Sequence, residues 1–169
     1  MQVSRLACVA FAFLIGCSNS NQAERLVGTH FTEVGPIVRC FRQSGMDIVG
    51  LIVVRMSIED ARAIAADSER LRKFPELDQS IQGLRLVRWT SGPLSEEGRR
   101  AFEFALEGLV DDCNDPKKLE QEILVALSKP TTYHSYQFIP VNGRVAPEAL
   151  RFHILDPENG LLYELENLS

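Results

Sequence analysis

The 169-residue sequence has no apolar run long enough to cross a membrane as a helix. Its longest uncharged apolar stretch is 6–16, LACVAFAFLIG, whereas a spanning helix needs about 20 apolar residues. The sequence also lacks an excess of basic residues, since 18 Lys and Arg stand against 23 Asp and Glu and no basic cluster is visible along the chain. This acidic balance argues against nucleic acid as a partner.

Short motifs that identify common catalytic and nucleotide-binding sites are missing as well. The chain contains no HExxH, GxSxG, SxxK, GxGxxG or phosphate-loop pattern. The acidic run at 111–115, DDCND, lacks the alternating oxygen ligands and the distal glutamate of a calcium-binding loop. The sequence therefore predicts no metal site and no cofactor.

The first residues carry the most specific signal in the sequence. Residues 1–5 hold one cation, Arg5, and the apolar stretch 6–16 has the length of a signal-peptide core. No A-x-A-like cleavage site follows it. Instead the stretch ends in Leu14-Ile15-Gly16-Cys17, followed by the small polar residues SNSNQ.

This ending resembles the lipobox of bacterial lipoproteins. The resemblance implies that Cys17 receives acyl chains such as palmitate, that the chain is cut just before it, and that Cys17 anchors the mature protein in a lipid bilayer. It divides the chain into a signal peptide (1–16), the lipidated cysteine with a short tether (17–28) and one folded domain (29–169). The resemblance places the domain in the cell envelope facing the periplasm, and Ser18 favours the outer over the inner membrane.

The four cysteines do not form two pairs under this interpretation. Cys8 leaves with the signal peptide and Cys17 is acylated, so Cys40 and Cys113 remain in an oxidising compartment. We expect these two to form a disulfide. The alternative is two separate buried thiols.

The rest of the chain predicts an α+β domain of two layers, a mostly antiparallel sheet packed by three to four helices. Segment 36–45, PIVRCFRQSG, is expected to be a helix between Pro36 and Gly45. Further helices are expected after Ser57, with Ile58 and Leu71 on its inner side, after Ser95 and from Pro116. Strands are expected at 47–55, within GLRLVRWT (83–90) and, as a three-strand meander, in the last forty residues.

A few side chains are candidates for function. His134 and His153 lie on strands expected to pair, so with Glu164 they would form an acid–base or metal site if they met; the alternative is half-exposed strand histidines. Trp89, beside a Gly/Pro loop, is a possible binding anchor or a core-edge residue. Tyr136 and Tyr133 fall on opposite strand faces, so one ring is expected to be exposed if the sheet binds peptide or glycan; otherwise the aromatics pack against helices.

Three classes of function follow from these observations. We favour a non-catalytic envelope lipoprotein that binds another protein as an adaptor, with an immunity-type inhibitor of an imported toxin as a special case. A periplasmic hydrolase acting on cell-wall material, using carboxylates or the two histidines, is the second class. The third is a structural subunit of an envelope assembly.

Overall fold

The computed structural model describes residues 35–44, 47–75, 83–107, 116–141 and 144–168. Residues 1–16, predicted to be a signal peptide, Cys17 with its predicted tether, and Cys113 lie outside the described residues, so the lipidation and the disulfide stay predictions. None of the helices in the described ranges is long and apolar enough to cross a membrane.

Within the described residues, six strands form a single antiparallel sheet in the order β1-β2-β6-β5-β4-β3. They are β1 (Gly35–Ser44), β2 (Asp47–Arg55), β3 (Arg85–Ser91), β4 (Tyr133–Val141), β5 (Arg144–Asp156) and β6 (Leu161–Leu168). The predicted C-terminal meander is confirmed as β4-β5-β6. The predicted strand at 47–55 is β2, which pairs with β6 in the same sheet.

In the part of the chain that the structure describes, four helices lie between these strands. They are α1 (Ile58–Ala66), α2 (Ser68–Lys73), α3 (Glu96–Leu106) and α4 (Pro116–Leu127). The first two connect β2 to β3, and the last two connect β3 to β4. The helices connect strands of an antiparallel sheet that ends in a meander, which confirms the α+β class.

The helix expected at 36–45 is wrong, because this segment forms β1. Its backbone pairs with β2 from Gly35↔Arg55 to Ser44↔Asp47, with an irregularity between Pro36 and Val38. Cys40 therefore lies opposite Leu51 in a strand ladder and not on a helix face. Pairing with β2 outweighs a helical spacing that spans only ten residues.

The helix expected after Ser57 forms but is broken in two. The Ser57 hydroxyl accepts from the Asp60 backbone N–H at 3.0 Å, as an N-cap residue does. It also donates to the Asp60 carboxylate at 2.7 Å. The chain then leaves the helix at Asp67, whose side chain caps α2. Leu71 consequently belongs to α2, and Ile58, expected on the inner side, is 44% exposed.

The two sides of the sheet carry different helices. We call the side with Phe152 the first face and the side with Leu155 the second face. Helices α3 and α4 pack on the first face through Phe102, Ala105 and Ile123, all essentially buried. The strands contribute alternate residues to this core, as the two-residue repeat of a strand requires: Val49, Leu51, Val53, Tyr136, Phe138, Leu150, Phe152, Ile154, Tyr163 and Leu165.

The second face is covered by α1 and α2 over one apolar row. Val54, Leu162 and Leu155 are direct cross-strand partners there, and Ala61 and Ile64 of α1 pack in the same cluster. Met56, just after β2, donates its N–H to the Gly160 carbonyl at 2.9 Å. Gly160 has φ +64°, and an added Cβ would lie 2.4 Å from the Met56 carbonyl oxygen, so this turn requires glycine.

Candidate functional site: a polar row on the second face

Next to the apolar row of the second face lies a row of three polar side chains, which we call the polar row: Ser135, His153 and Glu164. Ser135 on β4 is the register partner of His153 on β5, and His153 is the partner of Glu164 on β6. Directly opposite residues of an antiparallel pair share a face. All three are buried, His153 to 1% exposure.

The His153 and Glu164 side chains approach without a hydrogen bond. His153 Nε2 lies 3.6 Å from Glu164 Oε1, which is too long for a hydrogen bond but within ion-pair range. Among the residues the structure describes, neither ring nitrogen of His153 nor Oε2 of Glu164 has a hydrogen-bond partner. Burying such groups without partners costs about 1–3 kcal/mol each. These unpaired groups therefore lower the free energy of unfolding.

Two aromatic residues frame His153. The Phe74 ring meets the imidazole edge-on at a centroid distance of 5.1 Å, and Trp89 lies tilted at 6.3 Å. The indole Nε1 of Trp89 donates to the Phe74 carbonyl at 2.7 Å. Trp89 is therefore a half-buried core-edge residue with a satisfied N–H, and its geometry does not support an exposed binding anchor.

A second polar pair lies one row further along the same two strands. Arg151 Nε donates to Glu166 Oε1 at 2.7 Å, and the side chains are 25% and 12% exposed. Gln137 is the register partner of Arg151 on β4. The second face therefore carries two successive rows of polar and largely buried side chains beyond the apolar row of Leu155 and Leu162.

Serine, histidine and glutamate in contact are the residue types of acyl-transfer catalysis. The polar row lacks the hydrogen bonds that such catalysis uses. The Ser135 hydroxyl donates to the Val87 carbonyl at 2.8 Å and is fully buried. His153 makes no hydrogen bond to Ser135 or to Glu164 in the described part of the chain. The arrangement is a buried polar row and not an assembled nucleophile–base pair.

His134 and His153 do not meet, because they lie on opposite faces of the sheet. The alternative of half-exposed strand histidines is wrong as well, since both side chains are buried, at 4% and 1% exposure. His134 pairs with Ile154 and stacks on Phe152 at 6.3 Å, both of the first face. Its Nε2 lies 2.9 Å from the Thr90 hydroxyl oxygen, and burial lowers the pKa of the imidazole. Only the His153–Glu164 half of the predicted site is brought together. Within the described ranges, no three His, Cys, Asp or Glu side chains could hold a metal ion.

The tyrosines do not form an exposed aromatic surface. Tyr136 is 2% exposed and stacks on Phe152 at 5.3 Å with an interplanar angle of 2°. Burial, helped by the charge of Glu97, raises the pKa of Tyr136, while a hydrogen bond with Ser95 opposes the rise. Tyr133 is half-buried against the second-face cluster. Tyr136 therefore agrees with the alternative to an exposed binding surface, in which the aromatic residues pack against the helices.

A sequence signal for the polar row exists but is subtle. The segments RFH (151–153) and ELE (164–166) each place two polar residues two positions apart around one apolar residue. That spacing predicts one polar face on both strands. The register that puts His153 beside Glu164 depends on the β5–β6 turn and is not contained in either segment alone.

Comparison of the chain with protein-family models, with curated proteins and with solved structures gives no match. Relatives therefore assign no role to any of these residues, and functional inference depends on the chemistry of this chain.

Proposed function

We propose that the protein is a lipid-anchored lipoprotein of the bacterial cell envelope whose folded domain binds another protein without catalysis. The observation that carries the proposal is the uncharged stretch 6–16 ending in Leu14-Ile15-Gly16-Cys17. Acylated Cys17 holds the domain on the bilayer, facing the periplasm, and Ser18 favours the outer membrane. Several acyl chains on one cysteine bind a membrane far more firmly than a single chain.

Binding is favoured over catalysis by the state of the polar residues that a hydrolase would use. His134 and His153 lie on different faces of the sheet, and the Ser135 hydroxyl donates its proton to the Val87 carbonyl. The groups nearest to an acid–base pair, His153 and Glu164, are at most 7% exposed. A cell-wall substrate would need to reach these groups through the fold, which argues against the hydrolase alternative.

The charge of the mature chain indicates what kind of partner it binds. Loss of Arg5 with the signal peptide leaves 17 Lys and Arg against 23 Asp and Glu, a net charge of −6. An acidic protein is complementary to a basic one, and such pairs associate quickly and in a salt-sensitive way. An adaptor or immunity-type inhibitor with a basic partner fits this charge, and a structural subunit of an envelope assembly is the further alternative.

The anchor is tested by the intact mass of the protein extracted from membranes of a bacterial host. We expect a mass equal to residues 17–169 plus acyl chains, rising by two hydrogens on reduction if Cys40 and Cys113 are bonded. The matched variants are Cys17→Ala and Cys8→Ala, since both remove one thiol near the N-terminus. Only Cys17→Ala should abolish acylation and cleavage before residue 17. A full-length, unacylated wild-type mass would refute the proposal.

Catalysis and binding are separated by two assays on the membrane-extracted protein. We expect no soluble fragments when it is incubated with purified cell wall. We expect a partner identified by cross-linking in cells to be basic and to bind the purified protein more weakly as the salt concentration rises. Release of cell-wall fragments would replace the binding function with the hydrolase, and recovery only within a stoichiometric membrane complex would favour the structural subunit.

A further inference from the structure

The fold brings a strand arginine beside the basic end of a helix and so assembles a basic patch. It consists of Arg72 and Lys73, at the end of α2, and Arg88 of β3. Arg88 Nη1 donates to the Arg72 carbonyl at 2.5 Å, which joins the strand to the helix. The side chains of Arg72 and Lys73 are 69% and 75% exposed, and Arg88 is exposed as well.

A β-bulge explains how a strand residue reaches this helix. The register of β3 against β4 shifts between Val87 and Thr90. Successive strand residues normally point to opposite faces, and a bulge re-aims them. Both residues of the bulge, Arg88 and Trp89, donate to carbonyls at the end of α2, those of Arg72 and Phe74. The bulge and this hydrogen bond therefore fix Arg88 beside the end of α2.

The basic patch keeps a positive charge after its internal ion pairs are counted. Glu69 lies 2.8 Å from Arg72 and 3.8 Å from Lys73, so one carboxylate faces three cations. Asp67, the residue before α2, caps the opposite end of the helix. A local excess of two positive charges therefore stands on a mature chain whose net charge is −6.

We propose that the basic patch docks on the anionic lipid headgroups of the bilayer to which the protein is anchored. The inference rests on the proposed function, because the Cys17 anchor keeps the domain close to the membrane. Each Lys or Arg near an anionic surface strengthens attachment by about five-fold, and the attraction acts over about 8–10 Å in physiological salt. Because the net charge of the domain is acidic, a basic patch that faces the headgroups favours one orientation of the domain on the membrane.

The exposure of the cations favours a membrane over an acidic peptide as the occupant. Arg72 and Lys73 project from a short helix with more than two thirds of each side chain in solvent. Long, exposed cations suit a broad field of headgroup charges. Recognition of a peptide usually adds pockets or strand pairing to the charge.

The test uses the protein extracted from membranes and inserted into vesicles of phosphatidylcholine, with or without about 30 mol % phosphatidylglycerol. Amide hydrogen exchange is measured for residues 68–73 and 85–91. We expect exchange in both segments to be several-fold slower on the anionic vesicles, and the difference to vanish in about 0.5 M NaCl.

The double variant Arg72→Gln/Lys73→Gln is compared with Arg99→Gln/Arg100→Gln. The second pair lies on α3, is 63% and 61% exposed, and removes the same charge. The first variant should lower the docking constant by about 25-fold and lose the slowing, whereas the second should keep it. Equal losses would overturn the basic patch in favour of general charge attraction.

The remaining outcomes separate docking from anchoring. A wild-type chain that stays on both kinds of vesicle with identical exchange would overturn the docking while leaving the anchor intact. A chain that does not stay on either vesicle would overturn the anchor and the docking together. Slowing by soluble poly-glutamate but not by anionic vesicles would replace the membrane with an acidic peptide.

Discussion

At the scale of single residues, Tyr163 shows how burial in the first-face core changes the pKa of a side chain. The residue is 3% exposed and belongs to the first-face core. Burial, with the charges of Asp156 and Glu122, raises the pKa of Tyr163 to about 12. The folded protein therefore keeps the phenol neutral at a pH at which the unfolded chain ionises it.

This shift makes the free energy of unfolding depend on alkaline pH. Below about pH 10 the phenol is neutral in both states. Between that pH and the folded pKa of about 12, only the unfolded state loses the proton, so stability falls as pH rises. We expect urea midpoints of Tyr163→Phe to fall less between pH 9 and 11 than those of the wild type.

The control for this measurement is the same pair of proteins below about pH 9, where the phenol is neutral in both the folded and the unfolded state. There the difference between their two midpoints should not change with pH. If Tyr163→Phe and the wild type had the same slope of midpoint against pH above that pH, the pKa of Tyr163 would not be raised by folding.

The candidate site residues show which structural features a sequence pattern predicts and which depend on strand pairing. Burial of His134 and Tyr136 follows from the face they occupy, but that face depends on the pairing of β4 with β5. A shift of one residue in that register would have put His134 and His153 on the same face. Trp89 has a polar partner, the Phe74 carbonyl, that lies fifteen positions away, and no local pattern predicts it.

At the scale of elements, helices with capping residues were predictable and β1 was not. Ser57 and Ser95 both accept from the N–H three positions on, as their local sequences predict. Segment 36–45 satisfies a helical spacing, yet it is followed directly by a strongly apolar strand with which it can pair. Only residues 45 and 46 separate β1 from β2, and such a short link between two apolar runs is the pattern of a hairpin.

The pairing of β5 with β6 gives a prediction about ion pairs in different environments. Arg151–Glu166 joins the two strands with little exposure, whereas Arg100–Glu96 lies on α3 with both side chains more than 60% exposed. Glu166→Gln should lower the free energy of unfolding by about 1–3 kcal/mol, because it leaves a largely buried cation without its charge partner.

Glu96→Gln is the matched change, since it also neutralises the glutamate of an Arg–Glu pair. It should alter stability by no more than about 0.5 kcal/mol, because solvent screens an exposed pair. Chemical denaturation at neutral pH measures both. Equal effects of the two substitutions would mean that the β5–β6 pair is as well solvated as the helical one.

At the scale of the whole molecule, one sheet separates two apolar clusters that share strands. The first-face cluster contains Phe152 and Ile154 of β5, and the second-face cluster contains Leu155 of the same strand. Helices α3 and α4 depend on the first cluster, and α1 and α2 on the second. Because neighbouring residues of one strand serve both clusters, neither can be lost while the other keeps its strands in place.

This sharing predicts that the domain unfolds in one step, which Trp89, the only tryptophan, reports from the second face. Phe152→Ala removes a fully buried ring of the first face and should cost about 3–5 kcal/mol. We expect the substitution to move the denaturation midpoint of Trp89 fluorescence and that of far-ultraviolet circular dichroism by the same amount. Leu124→Ala, at a position 40% exposed on α4, should move neither. A Trp89 midpoint that stayed in place while the dichroism midpoint fell would show that the two faces unfold independently.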